Sequence, residues 1–265
     1  MRQVIELVGL ALVFGSVLGK NQTEPNVGRK VPIGRIVNGT AVSIENHPFI
    51  VRVYIYNFFI CAGSIITSKH ALSAAQCLDF KPNPVIVSLI GGSATQASGG
   101  VDFRVSSYTL HPCYDRRRMD FDVAIVTIRS SFDGYQNIGT IRLQTTELTY
   151  APSRPTWCYV AGWGATSGKT KTTSENLRLV WMQAMPQYNC ASEWNPFEIT
   201  PQMICAALPN TDACSGDRGG PLVCNEQLTG IVSAGDELCE GQYPMIFAKV
   251  ASSAIRLFIR ENAGI

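Results

Sequence analysis

From residue 35 to its end, the chain is a succession of short β-rich runs divided by clusters of Gly, Pro, Ser and Asn. Turn-forming residues at such short intervals predict many short strands in place of long helices. One segment near the end has helical spacing, because Ile255, Phe258 and Ile259 fall on one face of a helix. Many short strands with one closing helix predict an all-β fold of antiparallel sandwiches or barrels. The main β-rich runs are 49–59, 84–90, 123–128, 157–161, 177–182, 222–223, 230–232 and 245–250.

The length and charge of the chain exclude several classes of protein. With 265 residues, of which 46% are hydrophobic, it has enough material for one large β-domain or two smaller ones. Charged residues make up 16% and the net charge is +2, so intrinsic disorder and a polybasic arm are excluded. We therefore expect a globular protein with no nucleic-acid partner.

The first 19 residues have the pattern of a secretory signal peptide. An apolar run at residues 4–18 follows Arg2 and leads into small residues, and it is shorter than the roughly 20 residues that a membrane span needs. Residues 20–35 make a polar leader, with an N-glycosylation sequon at Asn21. We therefore expect a secreted, extracellular protein that has no membrane partner.

Nine cysteines indicate an oxidising compartment. They are too many for a cytosolic protein without pairs at zinc-binding spacing, and three histidines leave little material for a metal site. We expect neither a metal nor a cofactor. An odd number leaves one cysteine without a partner in the chain, and the sequence alone assigns no pairing.

Five short motifs occur in order: Arg-Ile-Val-Asn-Gly at 35–39, Ala-Ala-Gln-Cys at 74–77, Asp-Val-Ala-Ile at 122–125, Gly-Trp-Gly at 162–164 and Gly-Asp-Arg-Gly-Gly-Pro at 216–221. Together they resemble the trypsin/chymotrypsin (peptidase S1) family of serine proteases over residues 35–265. The resemblance implies a peptidase S1 domain at 36–265 that consists of two Greek-key antiparallel β-barrels. The barrels would span about 36–145 and 146–250, with a C-terminal helix at about 251–262.

The resemblance also implies how eight of the cysteines pair. The implied disulfides are Cys61–Cys77, Cys158–Cys224, Cys190–Cys205 and Cys214–Cys239. Cys113 is then left over. We interpret it as a free thiol that Leu110 and Tyr114 shelter in the first barrel, and the alternative is a disulfide to another chain.

Two of the three catalytic side chains of the family are missing at the matching positions. The motif that resembles Ala-Ala-His-Cys has Gln76, the motif that resembles Gly-Asp-Ser-Gly-Gly has Arg218, and only the carboxylate, Asp122, is present. A carboxamide cannot act as a general base, and a guanidinium carries no nucleophilic oxygen. Loss of either group in a working triad costs on the order of a millionfold in turnover, so we expect no functional catalytic residue. The histidines of the chain, His47, His70 and His111, lie outside both motifs.

The specificity pocket implied by the resemblance matches the family at some positions and differs from it at others. Asp212 matches the acidic residue that receives a substrate Arg or Lys in trypsin-like enzymes, and Ser233 and Gly235 match the pocket wall. Met245 stands where the family usually has Gly, and Ala234 stands where it usually has Trp. We expect the Met245 side chain to fill the pocket, and ordinary core packing of that side chain would close it equally.

A buried Asp212 then needs a partner, because an unpaired buried charge is costly. Our hypothesis is that Arg218 turns inward and pairs with Asp212 or with Asp122, which would plug the site. The alternative is that Arg218 points to solvent, which avoids the entropy cost of fixing its side chain.

The sequence around Arg35 resembles the zymogen activation site of the family, where a trypsin-like protease cuts. The resemblance implies that the freed Ile36 amine pairs with Asp217 and orders the oxyanion loop around Gly216. The switch then survives without catalysis, or its residues are an inheritance with no present use. Asn38 starts a second sequon beside this junction, where a glycan would hinder cleavage.

We interpret the chain as a secreted, catalytically inactive serine protease homologue that acts by binding. The resemblance suggests a cofactor or regulator of an extracellular protease cascade, with a protease or a protease substrate as the protein partner. The alternative is an active trypsin-like endopeptidase with an unrecognised nucleophile, and a third interpretation is an inert or storage protein. The three arginines at 116–118 predict a solvated loop, since Asp115 and Asp120 dilute their charge.

Overall fold

A computed structural model of the chain describes residues 39–151, 153–165, 169, 172–236 and 238–265. These residues form fourteen strands and two α-helices. The strands are β1 Thr40–Ala41, β2 Ile50–Ile55, β3 Phe58–Ile65, β4 His70–Ser73, β5 Val87–Gly91, β6 Val101–Leu110, β7 Ala124–Ile128, β8 Arg142–Leu143, β9 Trp157–Gly162, β10 Arg178–Met185, β11 Met203–Ala207, β12 Pro221–Cys224, β13 Gln227–Ala234 and β14 Met245–Lys249. The helices are α1 Gln187–Trp194 and α2 Ser253–Ala263.

The first barrel consists of six strands, which pair antiparallel in the closed order β2-β3-β4-β7-β6-β5. A two-residue turn joins β2 to β3, and in it Tyr56 and Asn57 have positive φ angles of 49° and 65°. Such a turn follows the right-handed twist of the two strands. Side chains that point inward fill the barrel with an apolar core. Examples are Val53, Leu72, Leu89 and Phe103.

The second barrel also has six strands, in the order β9-β10-β11-β14-β13-β12. It closes because β9 pairs with both β10 and β12. Strand β1 extends the sheet beside β10, and β8 runs parallel to β13. Its core includes Met182, Leu222, Val232 and Phe247. The prediction of two antiparallel β-barrels is therefore confirmed.

The two helices differ in how well the sequence indicates them. Helix α2 buries Ile255, Phe258 and Ile259, as their spacing predicts. The expectation of a single helix is wrong, because α1 also forms. Only Cys190 of α1 is buried, so this helix has no apolar stripe, and a disulfide to Cys205 ties it to β11. Neither of the two helices in the described part of the chain has the length and apolar character to cross a membrane.

Four disulfides cross-link the described residues, and all four implied pairings are confirmed. Cys113 is exposed, so the expectation that the first barrel shelters it is wrong. The buried residue of this loop is His111, whose ring stacks on Phe121 with centroids 4.5 Å apart. The N–H of Cys113 donates to Nδ1 of His111 at 3.2 Å, and the thiol side faces solvent.

Several expectations fall on residues outside the described part of the chain. They are the signal peptide at 1–19, the leader at 20–35, the sequons at Asn21 and Asn38, and the activation residues Arg35 and Ile36.

Candidate functional site

Gln76 lies in the 3-10 turn Ala75–Cys77, which follows β4. Its backbone N–H donates to Oδ1 of Asp122 at 2.9 Å. Its side-chain Nε2 donates to Oδ2 of Asp122 and, at 2.8 Å, to the backbone carbonyl of Ser233 in β13. Both amide hydrogens are thereby used, so the carboxamide bridges the two barrels and keeps only Oε1 as a further acceptor.

The carboxylate of Asp122 is fully buried, two residues before β7. Besides the two hydrogen bonds from Gln76, it accepts one from Oγ of Ser233 at 2.6 Å. Burial raises the pKa of Asp122, while these hydrogen bonds and the charge of Arg218 oppose the rise. The carboxylate therefore orients an amide, and neither Gln76 nor Ser233 supplies a basic nitrogen that could take a proton from a nucleophile.

Arg218 lies on the turn that leads into β12, and its side chain is exposed. Its backbone carbonyl accepts the N–H of Ala62 in β3 at 2.8 Å, which ties the turn to the first barrel. Within the described part of the chain, both oxygens of Asp212 lack a hydrogen-bond partner. The side chains that donate to Asp122 are those of Gln76 and Ser233, and Arg218 is not among them. The hypothesis of a plugged site is therefore wrong, and the alternative, in which Arg218 faces solvent, is the one observed.

A cavity of ≈ 420 Å³ opens beside Arg218. Ser233 and Gly235, which the resemblance places in the specificity pocket, line it together with Met245. Met245 is 2% exposed. The side chains of Met245 and Asp212 both lie against Gly235, but only that of Met245 lines the cavity. The methionine side chain thus forms part of the cavity wall, and the mouth of the cavity stays open.

Asp212 is a sealed carboxyl with 0% exposure. Burial, together with repulsion from Asp236, raises its pKa to about 8. The backbone N–H groups of Gly241 and Ala213 lie close enough to oppose part of the rise, although neither makes a hydrogen bond of good geometry to the carboxyl. The N–H of Ala213 itself points at the sulfur of Met245, 3.1 Å away. Asp212 therefore holds its proton at neutral pH and offers no negative charge to a cationic substrate.

Asp217 is a further buried carboxylate, on the same turn as Arg218. It accepts the N–H of Gly164 at 2.7 Å and that of Cys214 at 3.0 Å. Burial raises its pKa to about 6, against the effect of these two hydrogen bonds. A Cβ on Gly162 or Gly164 would stand 2.2 or 2.1 Å from a carboxylate oxygen, so only glycine fits. The Gly-Trp-Gly motif makes room for Asp217, a role that the sequence did not reveal. The expected partner of Asp217, Ile36, lies outside the described residues.

The turn around Arg218 carries two unused backbone donors. Gly216 and Gly219 have φ angles of +101° and +79°, which favour glycine. Of the described residues, none supplies an acceptor to the N–H groups of Gly216 and Arg218. Two such donors next to an exposed guanidinium make this turn electropositive.

Arg52 is a buried residue near the site for which the sequence pattern predicts no role. It is fully buried in β2, where Nη1 donates to the carbonyl of Thr95 at 2.6 Å and the guanidinium lies 5.1 Å from the ring centre of Trp163. Nε1 of Trp163 donates to the carbonyl of Ala94 at 2.7 Å. These contacts tie a loop of the first barrel to the Gly-Trp-Gly segment. No spacing rule finds such a residue, because a buried cation interrupts the apolar pattern of a strand.

The three histidines have partners elsewhere and supply no base to the site. Burial lowers the pKa of each of them. None of the contacts that the described residues make with these histidines involves Gln76 or Arg218. His70 Nδ1 lies 2.8 Å from Oγ1 of Thr67, the ring of His47 lies 5.3 Å from that of Tyr159, and His111 stacks on Phe121.

Known proteins match the chain over both barrels. A family model described as Trypsin matches residues 36–256. Trypsin delta of Drosophila erecta is 34% identical over 232 residues, which are 87% of this chain and 89% of the relative. Trypsin alpha of Drosophila melanogaster is 34% identical over 220 residues, which are 82% of this chain and 84% of the relative.

Proposed function

The chain belongs to the trypsin family of serine proteases, and we propose that it is a secreted member that acts by binding a protein partner and not by cleaving peptides. The observation that carries this proposal is the cluster of Gln76, Asp122 and Ser233, in which a carboxamide takes the place of the general base. Arg218 takes the place of the nucleophile.

The chemistry of these side chains argues against hydrolysis. Proteolysis on this scaffold needs a hydroxyl to attack the carbonyl and an imidazole to carry its proton to the leaving amine. The amide of Gln76 does not titrate near neutral pH, and the guanidinium of Arg218 carries no nucleophilic oxygen. Loss of the nucleophile or the base costs about 10⁶ in turnover, and the remaining rate of about 10³ to 10⁴ over water comes from binding and oxyanion donors.

The elements that respond to activation are retained, which supports a regulated binding role. Asp217 sits in a slot that Gly164 leaves open, and the turn at Gly216 has free backbone donors. A cut after Arg35 would free the Ile36 amine, and its pairing with Asp217 would order this turn. We infer a cofactor or regulator of an extracellular protease cascade, whose partner is a protease or a protease substrate. The assignment to a cascade rests on analogy with the family.

The disulfides indicate the cellular location. Four disulfides in the described residues support an oxidising, extracellular environment.

Capture from the secreting fluid tests the binding role directly, with the Arg35-cleaved and uncleaved proteins as paired baits. We expect a protein that the cleaved bait retains and the uncleaved bait does not. Equal capture by both would contradict control by the switch.

The alternative function is an active trypsin-like endopeptidase, and it is favoured by the names of the matched relatives, which are trypsins. A fluorophosphonate probe, which labels activated serines, distinguishes the two functions. The Arg35-cleaved protein is compared with its Gln76→His/Arg218→Ser variant and with an authentic trypsin as the positive control. We expect no labelling of the natural chain. Covalent labelling of it would overturn the binding proposal.

A further inference from the structure

The most exposed charge at the mouth of the cavity is positive. Arg218 lines the cavity with an exposed side chain. Asp212 is sealed and protonated, and Asp122 is buried under three hydrogen-bond donors. Asp236 also lines the cavity and brings a charge of opposite sign, but it is half-buried, and each of its oxygens accepts a backbone N–H from the loop that follows it, at 3.1 Å. The most exposed charge among these groups is therefore the guanidinium.

The backbone beside this guanidinium adds hydrogen-bond donors of the same polarity. The N–H groups of Gly216 and Arg218 have no acceptor in the described part of the chain. A guanidinium with adjacent free backbone N–H groups is a favourable arrangement for a carboxylate, which has two oxygens and accepts several charge-assisted hydrogen bonds.

The Gln76 side chain limits how a peptide enters. Its Nε2 occupies the backbone carbonyl of Ser233, near the end of β13. A peptide that ran across the cavity as an added strand would have to share this carbonyl with Gln76, because its own N–H groups need such acceptors. A peptide that enters by its terminus makes fewer strand hydrogen bonds, so the shared carbonyl favours a chain end over a continuous chain.

We propose that the mouth of this cavity binds the C-terminal carboxylate of a peptide or protein, held by the guanidinium of Arg218 and the N–H groups of Gly216 and Arg218. The inference rests on the proposed binding function and names the ligand of that same site. The preference of the family for a cationic side chain is thereby reversed. The cavity of ≈ 420 Å³, walled by Ser233, Ala234 and Gly235, accepts a small uncharged terminal residue.

Fluorescence anisotropy with synthetic peptides tests the proposal. The probe is an N-terminally labelled hexapeptide that ends in Ala-Ser-Ala with a free carboxylate. Its C-terminal amide, an amidated version with an internal Glu, and a version that ends in Arg are the comparisons. We expect the acid to bind about tenfold to a hundredfold more tightly than the amide, as for a charge-assisted hydrogen bond, and this preference to shrink in high salt.

Substitutions assign the preference to the site. Arg218→Ser should remove the preference for the acid, and Arg218→Lys should retain part of it, because the charge remains but the fork of donors is lost. Arg142→Ser, which changes an exposed arginine on β8, is the matched control and should leave the preference unchanged. Circular dichroism and thermal unfolding establish that each variant is folded.

Several outcomes would overturn the inference. Equal binding of acid and amide, no binding of any peptide, or an unchanged preference in Arg218→Ser would each exclude a carboxylate site at this residue. Tighter binding of the amidated Glu peptide than of the acid would exclude a chain terminus as the ligand. Hydrolysis of the probes would overturn the proposed function itself. Absence of hydrolysis together with equal binding of acid and amide would overturn only this inference.

Discussion

Asp212→Asn should stabilise the folded protein at neutral and alkaline pH, because it removes a carboxyl that the fold holds in its protonated form. Asp212 is fully buried, and neither of its oxygens accepts a hydrogen bond from the described residues. Its pKa rises from 3.8 to about 8, through burial first and repulsion from Asp236 second. Above about pH 4 the unfolded chain has lost a proton that the folded chain keeps, so the stability of the natural protein falls as the pH rises toward 8.

The size of the effect follows from the same two pKa values. Each pKa unit corresponds to about 1.4 kcal/mol. The rise from 3.8 to about 8 therefore costs the natural protein up to about 5 to 6 kcal/mol at pH 8, and about 3 kcal/mol at pH 6. Asn has nearly the shape of a protonated Asp and is neutral in both states, so the variant escapes this cost. Near pH 4 the two proteins should be almost equally stable.

Urea unfolding followed by circular dichroism, with the disulfides intact, measures the difference at several pH values between 4 and 8. Asp133→Asn changes an exposed aspartate and serves as the matched control, for which we expect a small difference that does not grow with pH. The reasoning is refuted if the stabilisation by Asp212→Asn is independent of pH. A variant less stable than the natural protein at pH 8 would mean that Asp212 is ionised and has a cationic partner.

Three further predictions concern the site and the exposed thiol. Gln76→His with Arg218→Ser should give little hydrolysis of Arg or Lys substrates, and adding Met245→Gly should raise it at least about tenfold; efficient cleavage by the double variant would show that the methionine does not obstruct the pocket. Gly164→Ala should lower the free energy of unfolding by about 2 kcal/mol or more, because the new Cβ would stand 2.1 Å from a buried carboxylate oxygen; an unchanged thermal midpoint would contradict this. The native protein should take up one maleimide at the exposed Cys113, and Cys113→Ser should take up none; an unreactive natural protein would indicate that another chain already holds the thiol by a disulfide.

Much of the fold could be predicted because its strands leave local signals. The apolar runs indicate β2, β7, β9 and β14, and turn residues separate them. The sequence pattern does not predict strand β6, Val101–Leu110, because most of its side chains are polar or exposed. It does not predict helix α1 either, because a single buried cysteine makes no periodic pattern. Both are held by partners in other elements, ten or more residues away along the chain, and such partners leave no trace in the local pattern.

The site was predictable only in part, for a similar reason. The motifs point to Gln76, Asp122 and Arg218, but they do not show that Gln76 also bridges to the carbonyl of Ser233, 157 residues away. Nor do they indicate that Met245 would leave the mouth of the cavity open. Such contacts depend on how two barrels meet, which spacing along the chain does not encode.

The identity of the side chains by itself determines which chemistry is lost. Gln76 has no titratable nitrogen and Arg218 has no hydroxyl, and folding of the chain does not change this for either side chain. The tertiary structure alone decides which charges remain. It buries Asp212, where the loss of solvation keeps the carboxyl protonated, and it leaves Arg218 in water. A pKa and an ion pair depend on surroundings that only folding creates, so the sign of the charge at this site could be read from the structure and not from the sequence.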